Sequence, residues 1–429
     1  MNTSLIFRAS LLAFSVSLVA CGGGSGGSSN TAQEPSDNTP SDNTDNTDNT
    51  DNTDNTDNTD NTDNTDNTDN TDTPVVLSDT TWSAGTDRIL GLGFNGNSET
   101  PEITMMKGAP VSGQDGDVFS IRSVTYPATE LSEIKSIDNL MDRRDFQDMD
   151  VISHNNESYV VACQDGSDTT GFTSAASLHI FKVSDPAKVA VRDLIIGNFE
   201  ARECSGISAE FTQGTNDAMG AVVYYAGDTM QTSGSPLTRY ARILKAALMI
   251  DTTVDIDAVG AVVMNSLDTV VRGDVVDEFM GVTSFGDHVY YTYYDDSEGT
   301  NNLGYANTGF SPAITRNVTF SATDPFVTGV AQQMLVKDMF VVPGETTTDF
   351  DHIYMVSDSD APGIVVGGYR RDINAKRSMI VSTDTATENC SDVITGVSDQ
   401  GVGQKLWCHD ATDGGKVIEA SSPVYPAQG

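Results

Sequence analysis

The sequence predicts an all-β fold, and three observations carry that expectation. The stretch from Met280 to Asp296, MGVTSFGDHVYYTYYDD, alternates in character, turns at Gly286-Asp287 and resumes as a run rich in Val and Tyr, the pattern of a β-hairpin. Variants of it recur as DVISHNNESYVVACQD (Asp150 to Asp165), GISAEFTQGTNDAMGAVVYYAGD (Gly206 to Asp228), KDMFVVPGETTTDFDHIYMVSDSD (Lys337 to Asp360) and DVITGVSDQGVGQKLWCHD (Asp392 to Asp410). Each has an apolar strand, a turn of Asn, Gly or Asp, and a second strand followed by Asp. The trailing residues Asp165, Asp228, Asp295, Asp358 and Asp410 stand 63, 67, 63 and 52 residues apart, too regular for chance strands.

Between these copies lie further strand-like runs, Ser177 to Val183, Tyr240 to Ile250, Ile364 to Tyr369 and Lys416 to Ala420. Each repeat therefore has room for three or four antiparallel strands. A more diverged N-terminal unit fits around Arg88 to Phe94 and Val118 to Thr125. Such a unit exposes an apolar face and cannot stand alone, so several must stack or pack radially. The arrangement over residues 74–429 resembles a β-propeller of about six blades; seven shorter blades or a two-sheet sandwich remain open. One segment, Leu131 to Asp148, has apolar residues near helical spacing (Leu131, Ile134, Ile137, Leu140, Met141) and is expected to be a helix outside the ring.

The N-terminus reads as a targeting segment. Arg8 is the single charge ahead of the apolar run LLAFSVSLVA, which is too short for a membrane span. Leu18-Val19-Ala20-Cys21 followed by Gly22 resembles the lipobox of bacterial lipoproteins. That resemblance implies removal of residues 1–20, lipidation of Cys21 and a membrane partner through that anchor. With no Asp after Cys21, it also implies the outer membrane. Residues 21–73 then change character: a Gly/Ser run, a polar patch and ten Asp-Asn-Thr triplets from Asp42 to Thr71. Nothing there can bury a core, so a solvated, self-repelling tether is expected. A coil of this length reaches on the order of 40 Å, which places the folded part away from the bilayer and favours the cell surface.

The chain has 429 residues and a formal net charge of −39. Setting aside Arg8 and the tether's thirteen acidic residues, Glu34, Asp37 and every third residue from Asp42 to Asp72, leaves −27 on residues 74–429. Such a surface repels polyanions, so nucleic acid is not an expected partner.

An exported chain meets oxidising conditions, and four cysteines remain after Cys21. Cys163 and Cys408 lie near the end of a second strand; Cys204 and Cys390 precede a first strand. In a hairpin the start of the first strand faces the end of the second, which pairs Cys390 with Cys408. In a propeller those ends also share a face with the neighbouring blade, which sets Cys163 against Cys204. Four cysteines allow three pairings, and this one fits the geometry. No CxxC or paired His spacing points to a metal site, and no CxxCH to haem attachment.

No nucleophile elbow, Walker loop, HExxH, dinucleotide fingerprint or DxDxDG calcium loop is present. The five histidines stand in or beside strands and read as parts of the repeat. The constellation that remains is acidic: Asp165 and Asp168; Asp228; Asp295, Asp296 and Glu298; Asp358 and Asp360; Asp410 and Asp413. In a ring these loops emerge on one face, where carboxylates could hold Ca²⁺ or a cationic ligand, although Asp is also simply a good turn residue. The expected function is that of a surface lipoprotein binding a protein or carbohydrate ligand. The alternatives are an extracellular hydrolase acting on polysaccharide or another polymer in the central channel and a structural envelope component.

Overall fold

The computed structural model describes residues 88–95, 102–110, 117–125, 132–137, 146–166, 174–232, 238–273, 277–295, 300–318, 336–357, 363–381, 389–396, 406–410 and 416–420. Cys21, the tether and the acidic residues Asp168, Asp296, Glu298, Asp358, Asp360 and Asp413 lie outside these residues.

The described residues form strands arranged in six antiparallel sheets, each running outward in chain order. The first holds β1 (Arg88–Asn95), β2 (Glu102–Pro110), β3 (Asp117–Thr125) and β4 (Ser132–Ile137). The second holds β5 (Phe146–His154), β6 (Glu157–Gln164), β7 (Ser177–Lys182) and β8 (Asp185–Asp193). The third is the largest: β10 (Phe199–Gly214), β11 (Ala218–Gln231), β12 (Arg239–Asp251) and β13 (Val262–Arg272), with the short β9 (Ile195–Ile196) beside β10. The fourth holds β14 (Asp277–Phe285), β15 (His288–Asp295), β16 (Thr300–Asn307) and β17 (Ile314–Val318). The fifth holds β18 (Val336–Val342), β19 (Asp351–Ser357), β20 (Val365–Arg370) and β21 (Ala375–Val381), and the sixth β22 (Cys390–Gly396), β23 (Leu406–Asp410) and β24 (Lys416–Ala420).

The leading strands β1, β5, β10, β14, β18 and β22 pack on one another in that order, and β22 packs back on β1. That closure makes the molecule an all-β propeller, with the leading strands around the axis. Hairpin turns follow local chemistry: Asn155 and Asn156 sit at φ 51° and 62° between β5 and β6, and Gly286 at φ 56° between β14 and β15. Positive φ at such positions is what tight hairpins require and what Asn and Gly tolerate.

The hydrophobic core is divided among the seams. Six clusters of buried residues each straddle two neighbouring sheets, as where Phe119 and Ile121 meet Phe146 and Phe181, or where Leu92 and Met105 meet Val393 and Trp407. Alternation along the strands feeds both seams of a sheet at once. Tyr224 packs toward the fourth sheet and Tyr225 toward the second; Tyr291 packs toward the third and Tyr290 toward the fifth. Each pair thus sends its two rings into two different seams, because in this fold the seams are the core.

Of the segment expected to be helical, residues 131 and 138–145, with Leu131, Leu140 and Met141, lie outside the described residues, and the described remainder is extended. Ser132–Ile137 forms strand β4, pairing with β3 from Ser123↔Ser132 to Phe119↔Ile137, and Phe146 to Asp148 opens β5. The pairing of an outer strand overrides an apolar spacing that suited either period.

At the seams, one position of the leading strands decides how closely neighbours approach. It is Gly91 in β1, Gly206 in β10 and Gly281 in β14, but Asp148 in β5 and Asp338 in β18, each beside a register shift in its hairpin. A Cβ on Gly91 would lie 2.7 Å from the Met149 nitrogen, and one on Gly206 3.3 Å from the Gly281 Cα. Where Asp stands instead, it bridges. Asp148 Oδ2 accepts the Ile207 N–H at 2.8 Å, and Asp338 Oδ2 accepts the Ile394 N–H at 2.8 Å. Their Oδ1 atoms accept the following residues' own N–H, Met149 and Met339, each at 2.7 Å.

Candidate functional site at the axial mouth

The starts of the six leading strands surround a cavity of about 630 Å³ at one end of the axis. Every sheet contributes: Leu90, Gln147, Glu203, Glu278, Lys337 and Asp392 stand around it in turn, one from each sheet. Asp165, Ser205, Asp228, Arg239 and His409 add to its polar lining.

Of the acidic face expected from sequence, Asp165 and Asp228 line this mouth. Asp295 and Asp410 end β15 and β23 opposite Asp277 and Cys390, the first residues of their leading strands. The sequence reading missed Glu203, Glu278, Asp392, Arg239 and Lys337, which lead strands or lie on them instead of trailing them. His409 was read with the other histidines as a part of the repeat.

Asp165, Glu203, Asp228 and Asp392 are engaged. Asp165 Oδ1 accepts the Cys204 N–H at 2.7 Å and its Oδ2 the Gln147 Nε2 at 2.7 Å. Arg239 Nε lies 2.7 Å from Asp228 Oδ2, and the same guanidinium reaches Glu203. Burial pushes Asp228 up to about 6, with Arg239 pulling the other way. On the far side, His409 Nδ1 is 3.0 Å from Asp392 Oδ2, and Ser391 Oγ donates to the same oxygen at 3.0 Å. Burial alone would raise Asp392; the hydrogen bond and charge of His409 hold it below the usual carboxylate range. Asp392 takes φ 62°, a conformation Asp tolerates better than most residues.

Two disulfides brace this end of the ring. Cys163 of the second sheet is joined to Cys204 of the third, and Cys390 is joined to Cys408 within the sixth. The first bridge and the Asp165 to Cys204 hydrogen bond fasten one seam twice.

Among the described residues no three His, Cys, Asp or Glu side chains converge closely enough to hold a metal ion. The mouth combines five carboxylates with two permanent cations and a histidine, so it can offer both donors and acceptors to a polar ligand.

No protein-family model matches the chain, and no curated protein matches it in sequence. Among solved structures it is similar to an α-L-arabinofuranosidase from Fusarium graminearum, at TM-score 0.46 and 9% identity over 77% of this chain and 92% of that one. It is also similar to the Trypanosoma rangeli sialidase in complex with sialic acid, at 0.45 and 9% over 81% of this chain and 56% of that one. A protein of unknown function from Dyadobacter fermentans aligns at 0.44 and 10% over 81% and 96%. The chain thus spans little more than half the length of the sialidase, and these likenesses assign no chemistry to either end of the axis.

Proposed function

We propose that the chain is a lipoprotein of the outer membrane, acylated at Cys21 and held off the bilayer by residues 22–73, whose propeller binds a ligand or protein partner at the axial mouth on the cell surface. Its six sheets are read as six blades, a count supported by the packing of β22 on β1. The observation that carries the binding reading is the mouth itself: about 630 Å³, lined from all six sheets, with paired carboxylates and guanidinium that present hydrogen-bonding groups in fixed positions. Pre-positioned polar groups around a concavity are what ligand sites use for orientation. A protein or carbohydrate ligand suits the mixed lining.

Three experiments test the parts separately. Labelled palmitate should be incorporated into the wild-type chain and not into Cys21→Ala, and protease added to intact cells should cut the tether. An unlabelled wild-type chain sinks the anchor, and a protected tether sinks the surface location. For the mouth, an oligosaccharide panel should be retained by the wild type and lost in Glu278→Lys; equal retention removes the mouth as the site.

A second reading rests on one geometric feature. Asp392 orients His409 at 3.0 Å, as a carboxylate orients a catalytic imidazole, and this pair keeps a polymer hydrolase as the alternative even though the free Nε2 is buried. If that reading is right, polysaccharide hydrolysis should vanish in His409→Ala while binding persists.

A further inference from the structure

The two outermost strands of the third sheet set a pair of arginines against each other. Arg242 of β12 and Arg272 of β13 are direct partners in the antiparallel register, so both side chains leave the same face of the sheet. Like charges in that relation destabilise a sheet. Among the described residues no carboxylate pairs with either, although acids outnumber bases 62 to 23 in the chain. We propose that Arg242 and Arg272 bind the oxyanion of a ligand, a carboxylate, sulfate or phosphate group.

Aromatic rings hold these guanidiniums by their faces. The Arg242 guanidinium carbon stands 4.0 Å from the centroid of the Phe199 ring and 5.8 Å from that of Tyr240, and the Arg272 carbon stands 4.0 Å from the Tyr240 centroid. A ring that takes the face of a guanidinium leaves its N–H edges for hydrogen bonding. Arg242 uses one of its donors on Thr269, Nη1 donating to Oγ1 at 3.0 Å. Arg272 is exposed and makes no hydrogen bond to the described residues.

Burial sharpens the need at Arg242. It is 5% exposed, and burial together with the neighbouring charge of Arg272 holds it below the ordinary arginine range. A guanidinium largely withdrawn from water without an acid beside it is costly. The carboxylates of adjoining strands are committed elsewhere. Glu200 pairs with Arg202 at 2.7 Å, Asp228 and Glu203 pair with Arg239, and Asp268 stands opposite Lys245 in the register. An incoming oxyanion would supply the missing charge and accept several N–H bonds at once, which is what guanidiniums are shaped to give. The pair stands apart from the mouth, which neither arginine lines. The acidity of the chain as a whole disfavours a polyanion and leaves a single charged group as the guest.

Calorimetry on the full-length protein in detergent, at fixed ionic strength, would use acetate, sulfate, phosphate and chloride. At least one oxyanion should bind about tenfold or more tightly than chloride. The anion preferred marks the source: acetate a carboxylate, sulfate a sulfate ester, phosphate a phosphate ester. Arg272→Gln, at an exposed position, should weaken that binding about tenfold or more. Lys188→Gln, which removes a cation from the second sheet, should leave it unchanged. Absence of oxyanion binding, equal affinity for chloride, full affinity in Arg272→Gln, or an equal loss in Lys188→Gln would overturn the proposal. Should Arg272→Gln fail to fold, Arg272→Lys, which keeps the charge and loses the planar fork, should still bind more weakly than the wild type, and full affinity there overturns the proposal as well.

Discussion

Asp338 accepts the backbone N–H of Ile394 at 2.8 Å across the seam between the fifth and sixth sheets. Asp148 does the same for Ile207 between the second and third. A side chain thus substitutes for the sheet hydrogen bonds that neighbouring leading strands cannot make to each other. Asp338→Ala would leave two buried N–H groups, Met339 and Ile394, unmatched. The expected loss is about 2 to 6 kcal/mol by denaturant unfolding, at roughly 1 to 3 per stranded donor. Asp338→Asn, which keeps one acceptor, should lose less. An alanine variant as stable as the wild type would show that the bridge contributes nothing.

The same carboxylates make stability depend on pH in an unusual direction. Burial raises Asp148, Asp150 and Asp338 above the ordinary carboxylate range, the latter two to about 7. A raised acid binds its proton more tightly folded than unfolded. Its contribution is therefore fullest below about 4 and is lost as pH rises toward 7. Asp150→Asn should flatten the dependence of melting temperature on pH between 4 and 7. An unchanged slope would mean that Asp150 titrates alike in both states.

Glycine at the seam positions answers to space. A Cβ on Gly91 would meet the Met149 nitrogen at 2.7 Å and its Cγ closer still, whereas Gly206 offers 3.3 Å to the Gly281 Cα. Gly91→Ala should therefore cost more than Gly206→Ala, within the roughly 1 to 3 kcal/mol typical of overpacking. Thermal melts of the two variants make the comparison, and the reverse order would contradict it.

Loop length separates the disulfides. Cys163 and Cys204 are 41 residues apart and Cys390 and Cys408 are 18. On the chain-entropy relation, losing the first bridge should cost about 0.7 kcal/mol more than losing the second. Denaturant unfolding of the two double Ser variants measures this. An equal or smaller loss at the longer loop would show that native contacts, such as Asp165 to the Cys204 N–H, compensate for the bridge.

The ring was legible because its signal is repeated. Alternation, an Asn or Gly turn and a trailing Asp recur at each hairpin, and runs such as Ser177 to Val183 and Lys416 to Ala420 match strands β7 and β24 closely. Strand β2 went unread because EITMMKGAP alternates weakly, and β4 because six residues cannot separate helical from extended spacing. The mouth was half legible. Asp165 follows β6 and Asp228 lies near the end of β11, where a trailing Asp draws notice, but Glu203, Glu278 and Asp392 lie inside leading strands, where acidic residues are poor formers and invite no functional reading, as do the seam residues Asp148, Asp150 and Asp338. Their signal was present as Asp-Met at one position of two repeats, Asp148-Met149 and Asp338-Met339.

Closure of the ring is the claim on which the mouth and the seam bridges both depend. It is most directly tested at the last seam, where Phe94 of the first sheet stacks on Trp407 of the sixth, ring centroids 5.0 Å apart and planes within 9°. In protein with selectively labelled Phe and Trp, magnetisation transfer should be seen between the Phe94 ring and the Trp407 indole in the folded state and should disappear in Phe94→Leu. A folded protein in which these two rings exchange no magnetisation would mean that the first and last sheets do not meet, and the axial mouth would fall with them.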